Sequence, residues 1–79
     1  MIEMMTDKSI CTGENEQGKP VYRAQLIADT AAELAGVTEQ GGVVWDFGSS
    51  ALTADGKSCL LDSKGVWHDL SDGSEVSGT

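Results

Sequence analysis

The sequence predicts a small, mostly β domain carrying one short helix, built as an antiparallel meander with the capped helix packed on it. Three observations predict it. The stretch from Gly42 to Leu70 holds three of the four aromatic residues, Trp45, Phe47 and Trp67. Within it, Asp55-Gly56-Lys57 separates the half-apolar runs Ser50–Ala54 and Ser58–Asp62, and an Asp-Gly pair in that setting is a strong hairpin signal. A second break at Ser63-Lys64-Gly65 precedes the run Val66–Leu70, with Gly65 suited to the positive φ that such a turn needs.

In chain order, residues 1–19 read as a flexible N-terminal segment. Its apolar exceptions are the Met1-Ile2-Met4-Met5 cluster and a short strand near 9–12, where Ile10 would pair with a later strand across the Gly-rich loop Thr12–Gly18. Residues 20–70 form the single domain. Pro20 opens a strand through Ile27, in which Tyr22, Ala24 and Leu26 share the side opposite Val21, Arg23, Gln25 and Ile27. The run Asp29–Gly36 carries both labels of a short helix. Thr30 and Glu33 fit a capping box, and Gly36 stands where a helix closes in the left-handed conformation. So short a helix does not persist alone, so Leu34 and Ala31 are expected to dock on the sheet.

The meander then begins after Gly42. Alternation puts Val43, Trp45 and Phe47 on one face, with a bend or bulge expected at Gly48-Ser49-Ser50. On the return runs Cys59 and Leu61 oppose Leu60, and Val66, His68 and Leu70 oppose Trp67 and Asp69. Apolar residues on both faces of these strands imply that one face is core and the other meets a neighbouring subunit, with Trp45, Phe47, Leu52, Leu61 and Trp67 divided between core and interface. Residues 71–79, an acidic tail with almost nothing to bury, are expected to be disordered.

Composition narrows the function classes. Five basic against 13 acidic side chains leave a formal net charge of −8, and the lysines and arginine are scattered, which argues against nucleic-acid binding through phosphates. The N-terminal residues show neither a basic n-region nor a long apolar h-region, so no signal peptide is expected, and no run reaches membrane-spanning length. Cys11 and Cys59 are far apart without a Cys-x-x-Cys or Cys/His cluster, so two reduced thiols are expected, with Cys59 buried in a strand. Neither a metal nor a cofactor is implied. The aspartates at strand ends (Asp46, Asp55, Asp62, Asp69) lack the EF-hand pattern and read as turn chemistry. His68, the sole histidine, has no orienting partner in sequence, so a Cys59–His68 nucleophile pair is disfavoured and no enzyme is expected. A core of about fifty residues is small for a lone domain, which favours assembly with other chains, as a dimer or trimer.

The order of elements resembles a short module found in tailed-phage structural proteins, including small virion proteins and segments of head and tail fibres. The matching residues are Tyr22 through Ile27, Asp29-Thr30, Gly48-Ser49, Ala51-Leu52-Thr53, Asp55-Gly56-Lys57, Cys59-Leu60-Leu61-Asp62, Gly65 and Trp67. The sequence departs from that module in the inserted Val43–Phe47 run and in lacking a proline after Thr30. The resemblance implies a non-enzymatic phage or prophage component, located in the virion or the host cytoplasm, that self-associates or attaches to a capsid, tail or fibre. Two other readings stand beside it. One is an acidic inhibitor or DNA mimic that binds a basic host protein. The other is a small carbohydrate- or peptide-binding module that uses Trp45 or Trp67.

Overall fold

The computed structural model describes residues 1–76, folded as nine short strands in two mixed sheets. In chain order these are β1 (Glu3–Met4), β2 (Ile10–Glu14), β3 (Pro20–Arg23), β4 (Gln25–Ala28), β5 (Glu39–Gln40), β6 (Val43–Trp45), β7 (Ser50–Thr53), β8 (Ser58–Leu61) and β9 (Trp67–Asp69). The five-stranded sheet has the order β1-β4-β7-β8-β9, and the four-stranded sheet the order β2-β3-β6-β5.

The expected meander is present over β7, β8 and β9, which pair antiparallel through the turns at Asp55-Gly56 and Gly65. The Val43–Trp45 run does not belong to it. β6 lies in the other sheet, parallel to β3 and antiparallel to β5. The chain is bent out of line at Asp46–Ser49, where the Ser49 N–H donates to the Asp46 carbonyl (3.1 Å) and Gly48 takes φ +88° with Arg23 packed close above it. Phe47 sits in this bend, so alternation from Trp45 fails to carry it inward. The Pro20–Ile27 strand likewise divides at Ala24 into β3 and β4, one in each sheet. Its expected parity survives the break: Ala24 and Leu26 are buried and Tyr22 packs on the core, while Ile27 is exposed.

Both breaks fall at one corner. β3 runs parallel to β6 and β4 parallel to β7, so two stretches of chain cross side by side from one sheet to the other. Ser49, fully buried, ties the corner: its Oγ accepts from the Ala24 N–H (3.0 Å) and donates to the Tyr22 carbonyl (3.3 Å). A serine here satisfies a buried backbone N–H that neither sheet can reach.

The expected short helix is a single 3-10 turn, Ala31–Leu34. Thr30 is its N-cap, and the Glu33 carboxylate accepts from the Thr30 and Asp29 N–H groups (3.2 and 3.0 Å). Gly36 takes φ +74° just past the turn, and the Val37 N–H returns to the Leu34 carbonyl (3.0 Å). Ala31 and Leu34 are buried, as their docking role requires.

The core lies on the inner face of the five-stranded sheet. Leu26, Ala28, Ala51, Cys59, Leu61 and Trp67 pack against Leu34 and Trp45. The Trp45 and Trp67 rings meet edge to face, with centroids 6.1 Å apart and planes at 72°. Trp67 Nε1–H donates to the Val37 carbonyl at 2.8 Å, so the largest buried side chain also anchors the segment leaving the 3-10 turn.

Both terminal segments are more structured than their composition suggests. β1 pairs with β4, and β2 extends the strand expected near 9–12 to Glu14 and pairs with β3 across the Gly-rich loop. The tail expected to be disordered from Ser71 instead folds back through Val76 along β9, with an isolated bridge between His68 and Glu75. Residues 77–79 of that predicted tail lie outside the described residues.

Candidate functional site

Strand alternation separates the side chains of the five-stranded sheet into two sets. Where β4, β7, β8 and β9 send Leu26, Ala51, Cys59, Leu61 and Trp67 inward, they send Ile27, Leu52, Leu60 and His68 outward. Register brings the outward set together. Ile27 lies opposite Leu52, Leu52 opposite Ser58, Ser50 opposite Leu60, and Leu60 opposite His68. Leu70 follows β9, its N–H bonded to the Ser58 carbonyl (2.9 Å), and extends the row that contains Leu52. Ile27, Leu52, Leu60 and Leu70 are therefore exposed large apolar residues on one sheet face, with Leu52 at 53% and Leu70 at 56%. A shallow open groove continues from Ile27 and Leu52 toward Met1 and Ala54. No Asp, Glu, Lys or Arg lies among the four; Glu3, opposite Ile27 on β1, and His68, opposite Leu60 on β9, border them.

Of the residues expected to divide between core and interface, Trp45, Leu61 and Trp67 are core, with Trp67 only 1% exposed. Leu52 is on the outer face. Phe47, 57% exposed, belongs to neither and sits in the Asp46–Ser49 bend. Ile27, Leu60 and Leu70 complete the outer patch without having been singled out in sequence. The signal for them was parity, because each stands one residue from a core position. Thr30, Glu33 and Gly36 lie at and just beyond the 3-10 turn rather than at the ends of a helix, and Asp55, Gly56 and Gly65 lie in the turns that join β7, β8 and β9.

Chemistry-bearing residues are held apart. Cys59 pairs in register with Asp69 and faces the core, whereas His68 pairs with Leu60 on the outer face, so the sheet separates the two. Burial pushes the Cys59 thiol up, and the carboxylates of Asp69 and Asp55 add to that, which leaves it a poor nucleophile. Both cysteines are free, Cys11 exposed and Cys59 buried. Asp69, nearly buried, is held below the usual carboxylate range by the Ser71 N–H and hydroxyl (2.9 and 2.8 Å) and by Lys57 Nζ at 3.3 Å. That set is internally neutralised and ties the β7–β8 turn to the end of β9. Among the described residues no group of three or more His, Cys, Asp or Glu side chains is gathered in a way that would hold a metal ion. Among the same residues no helix is long and apolar enough to cross a membrane.

His68 makes two side-chain bonds. Its Nε2 lies 2.7 Å from Asp62 Oδ2 and its Nδ1 3.0 Å from the Gly73 carbonyl. The other oxygen of Asp62 accepts from the N–H groups of Lys64 (2.8 Å) and Val66 (2.9 Å), closing the β8–β9 turn. The Val66 N–H, the His68 ring and the Lys64 N–H together hold Asp62 below the usual carboxylate range.

No family model, curated protein or solved structure matches the chain.

Proposed function

We propose that the chain is a non-enzymatic structural protein that works by self-association through the outer face of its five-stranded sheet. The observation that carries this reading is the patch of Ile27, Leu52, Leu60 and Leu70, with no Asp, Glu, Lys or Arg among them, on a chain of net charge −8. Four large apolar side chains on neighbouring strands, with Ser50 and Ser58 among them, expose on the order of a few hundred Å², the scale of surface patches that are often functional. A second copy of the chain is the favoured partner because mutual repulsion between acidic copies is least where neither carries charge. The small core provides the driving force: burying the patch adds to it the apolar area that so short a chain lacks.

The resemblance to the tailed-phage module supports placing the protein among virion or prophage components, joined to its own copies or to a capsid, tail or fibre. The burial of both indoles leaves the sugar- or peptide-platform reading without an exposed tryptophan. Sedimentation velocity on the chain from micromolar to submillimolar concentration tests the proposal. A dimer or trimer is expected, reverting to monomer in Leu52→Asp with an unchanged far-UV spectrum. A wild-type chain that stays monomeric throughout that range overturns it.

A further inference from the structure

We propose that Ser71–Val76 is a strap that closes the outer edge of β9, and that His68 latches it in the imidazolium form. β9 is the last strand of its sheet, so on one side its backbone N–H and C=O groups have no strand partner. The strap supplies one. The Asp69 N–H donates to the Ser74 carbonyl (2.8 Å), the Val76 N–H donates to the Trp67 carbonyl (2.8 Å), and the Gly73 N–H turns back to the Asp69 carbonyl (2.7 Å). Val76 packs on the core at the end of this run.

The latch follows from which atoms surround the ring. The Gly73 carbonyl can only accept, so Nδ1 must carry a proton to bond it. Asp62 is held as a carboxylate by two backbone N–H groups, so Nε2 must also carry one. A neutral imidazole has a single N–H, whereas the imidazolium has two. Losing the ring proton therefore costs one of the two bonds, and with it the link that runs from the β8–β9 turn through His68 to the strap. The charged groups that act most strongly on the ring are Asp62 on the turn and Glu75 on the strap, both negative, and its neighbour on β8 is the apolar Leu60. The Gly73 carbonyl, then Asp62, raise the histidine above its ordinary value. A raised value in the folded state means that the stabilisation is fully present below the unfolded value and is lost as pH rises through the folded one. The strap is accordingly tightest in mild acid and loosens above neutrality, uncovering the edge of β9 for strand addition. The edge runs along the rim of the sheet, although the latching His68 projects from the outer face beside Leu60; the inference rests on the bonds of His68 and not on self-association there.

Amide hydrogen exchange of the full-length chain by NMR, corrected for intrinsic rates, tests the latch between pH 5.5 and 8.5. Protection of the Asp69 and Val76 amides is expected to fall roughly threefold to fivefold across that range, as befits a partly exposed ion pair. The inner Leu61 amide, bonded to the Ser49 carbonyl at 2.8 Å, should hold steady. In His68→Gln the fall should vanish, and in Asp62→Asn the midpoint should move to lower pH. The proposal is overturned if the wild-type strap amides show no pH dependence, or if His68→Gln keeps it. A ring titration in the wild-type chain with its midpoint at or below that of an ordinary histidine overturns it as well.

Discussion

Replacing Trp67 with phenylalanine separates two contributions that meet at one buried side chain. Trp67 is almost wholly covered, lies edge-on to Trp45, and donates its indole N–H to the Val37 carbonyl at 2.8 Å. Phenylalanine keeps an aromatic ring at the site and removes the donor. The unpartnered Val37 carbonyl, in a half-buried segment, costs about 1–2 kcal/mol. The smaller ring leaves a void beside Trp45 and Leu61 worth about 1 kcal/mol more. The sum, about 2–3 kcal/mol, lowers the melting temperature of a domain this size by about 10–20 °C. Urea unfolding followed by far-UV circular dichroism is the suitable assay, because one of the two indole fluorophores has been removed. An unchanged denaturant slope with a midpoint shift equivalent to less than about 0.5 kcal/mol would refute the claim that the indole bond anchors the exit of the 3-10 turn.

Three further outcomes are expected. Ser49→Ala should destabilise by about 1–3 kcal/mol in the same assay, because it strands the buried Ala24 N–H; a neutral result would mean that the corner is held by the strands alone. Gly65→Ala should cost about 1 kcal/mol or more, since its φ of +82° disfavours a side chain and the new methyl would stand 3.3 Å from Thr38 Cγ2; thermal melts that superimpose on wild type would contradict this. In the native chain a thiol reagent should modify Cys11 promptly and Cys59 only on addition of denaturant, and rapid reaction of both would show that the inner sheet face opens readily.

How much of this was legible in the sequence depended on how local each determinant is. The β7–β8–β9 meander was, because Asp55-Gly56 and Gly65 fix its turns and alternation fixes which of Cys59, Leu60 and Leu61 face inward. The cap of the 3-10 turn was legible for the same reason, since Thr30, Glu33 and Gly36 act on their near neighbours. The change of sheet at Ala24 was not. Alanine carries no break signal, and the group that permits the break is the Ser49 hydroxyl, far along the chain. Parallel pairing of β4 with β7 is equally silent, because nothing near Leu26 specifies Ala51 as its neighbour. The helix shrank to one turn because it spans a short crossover, with only Ala31 and Leu34 to bury. The outer patch was half legible: apolar residues on both faces announced an exposed apolar face, but Phe47, assigned to the Trp45 face, was carried elsewhere by the Gly48 bend. The strap left no mark in the sequence because its attachment is made by backbone groups, to which composition is blind.

The corner shared by the two sheets also bears on how the chain reaches its native state. Neither parallel pair can be assembled by zipping outward from a hairpin, since each brings together strands separated by the whole crossover from Asp29 to Gly42. Closing that loop costs entropy before any ladder bond or buried side chain repays it, and proteins dominated by such pairings fold on the order of milliseconds to seconds. The β7–β8–β9 hairpins can form early and wait. The expected rate-limiting step is then the arrival of the β3–β4 stretch beside β6–β7, with Ser49 meeting Ala24. A substitution at this corner should slow folding, whereas one on the strap should mainly hasten unfolding.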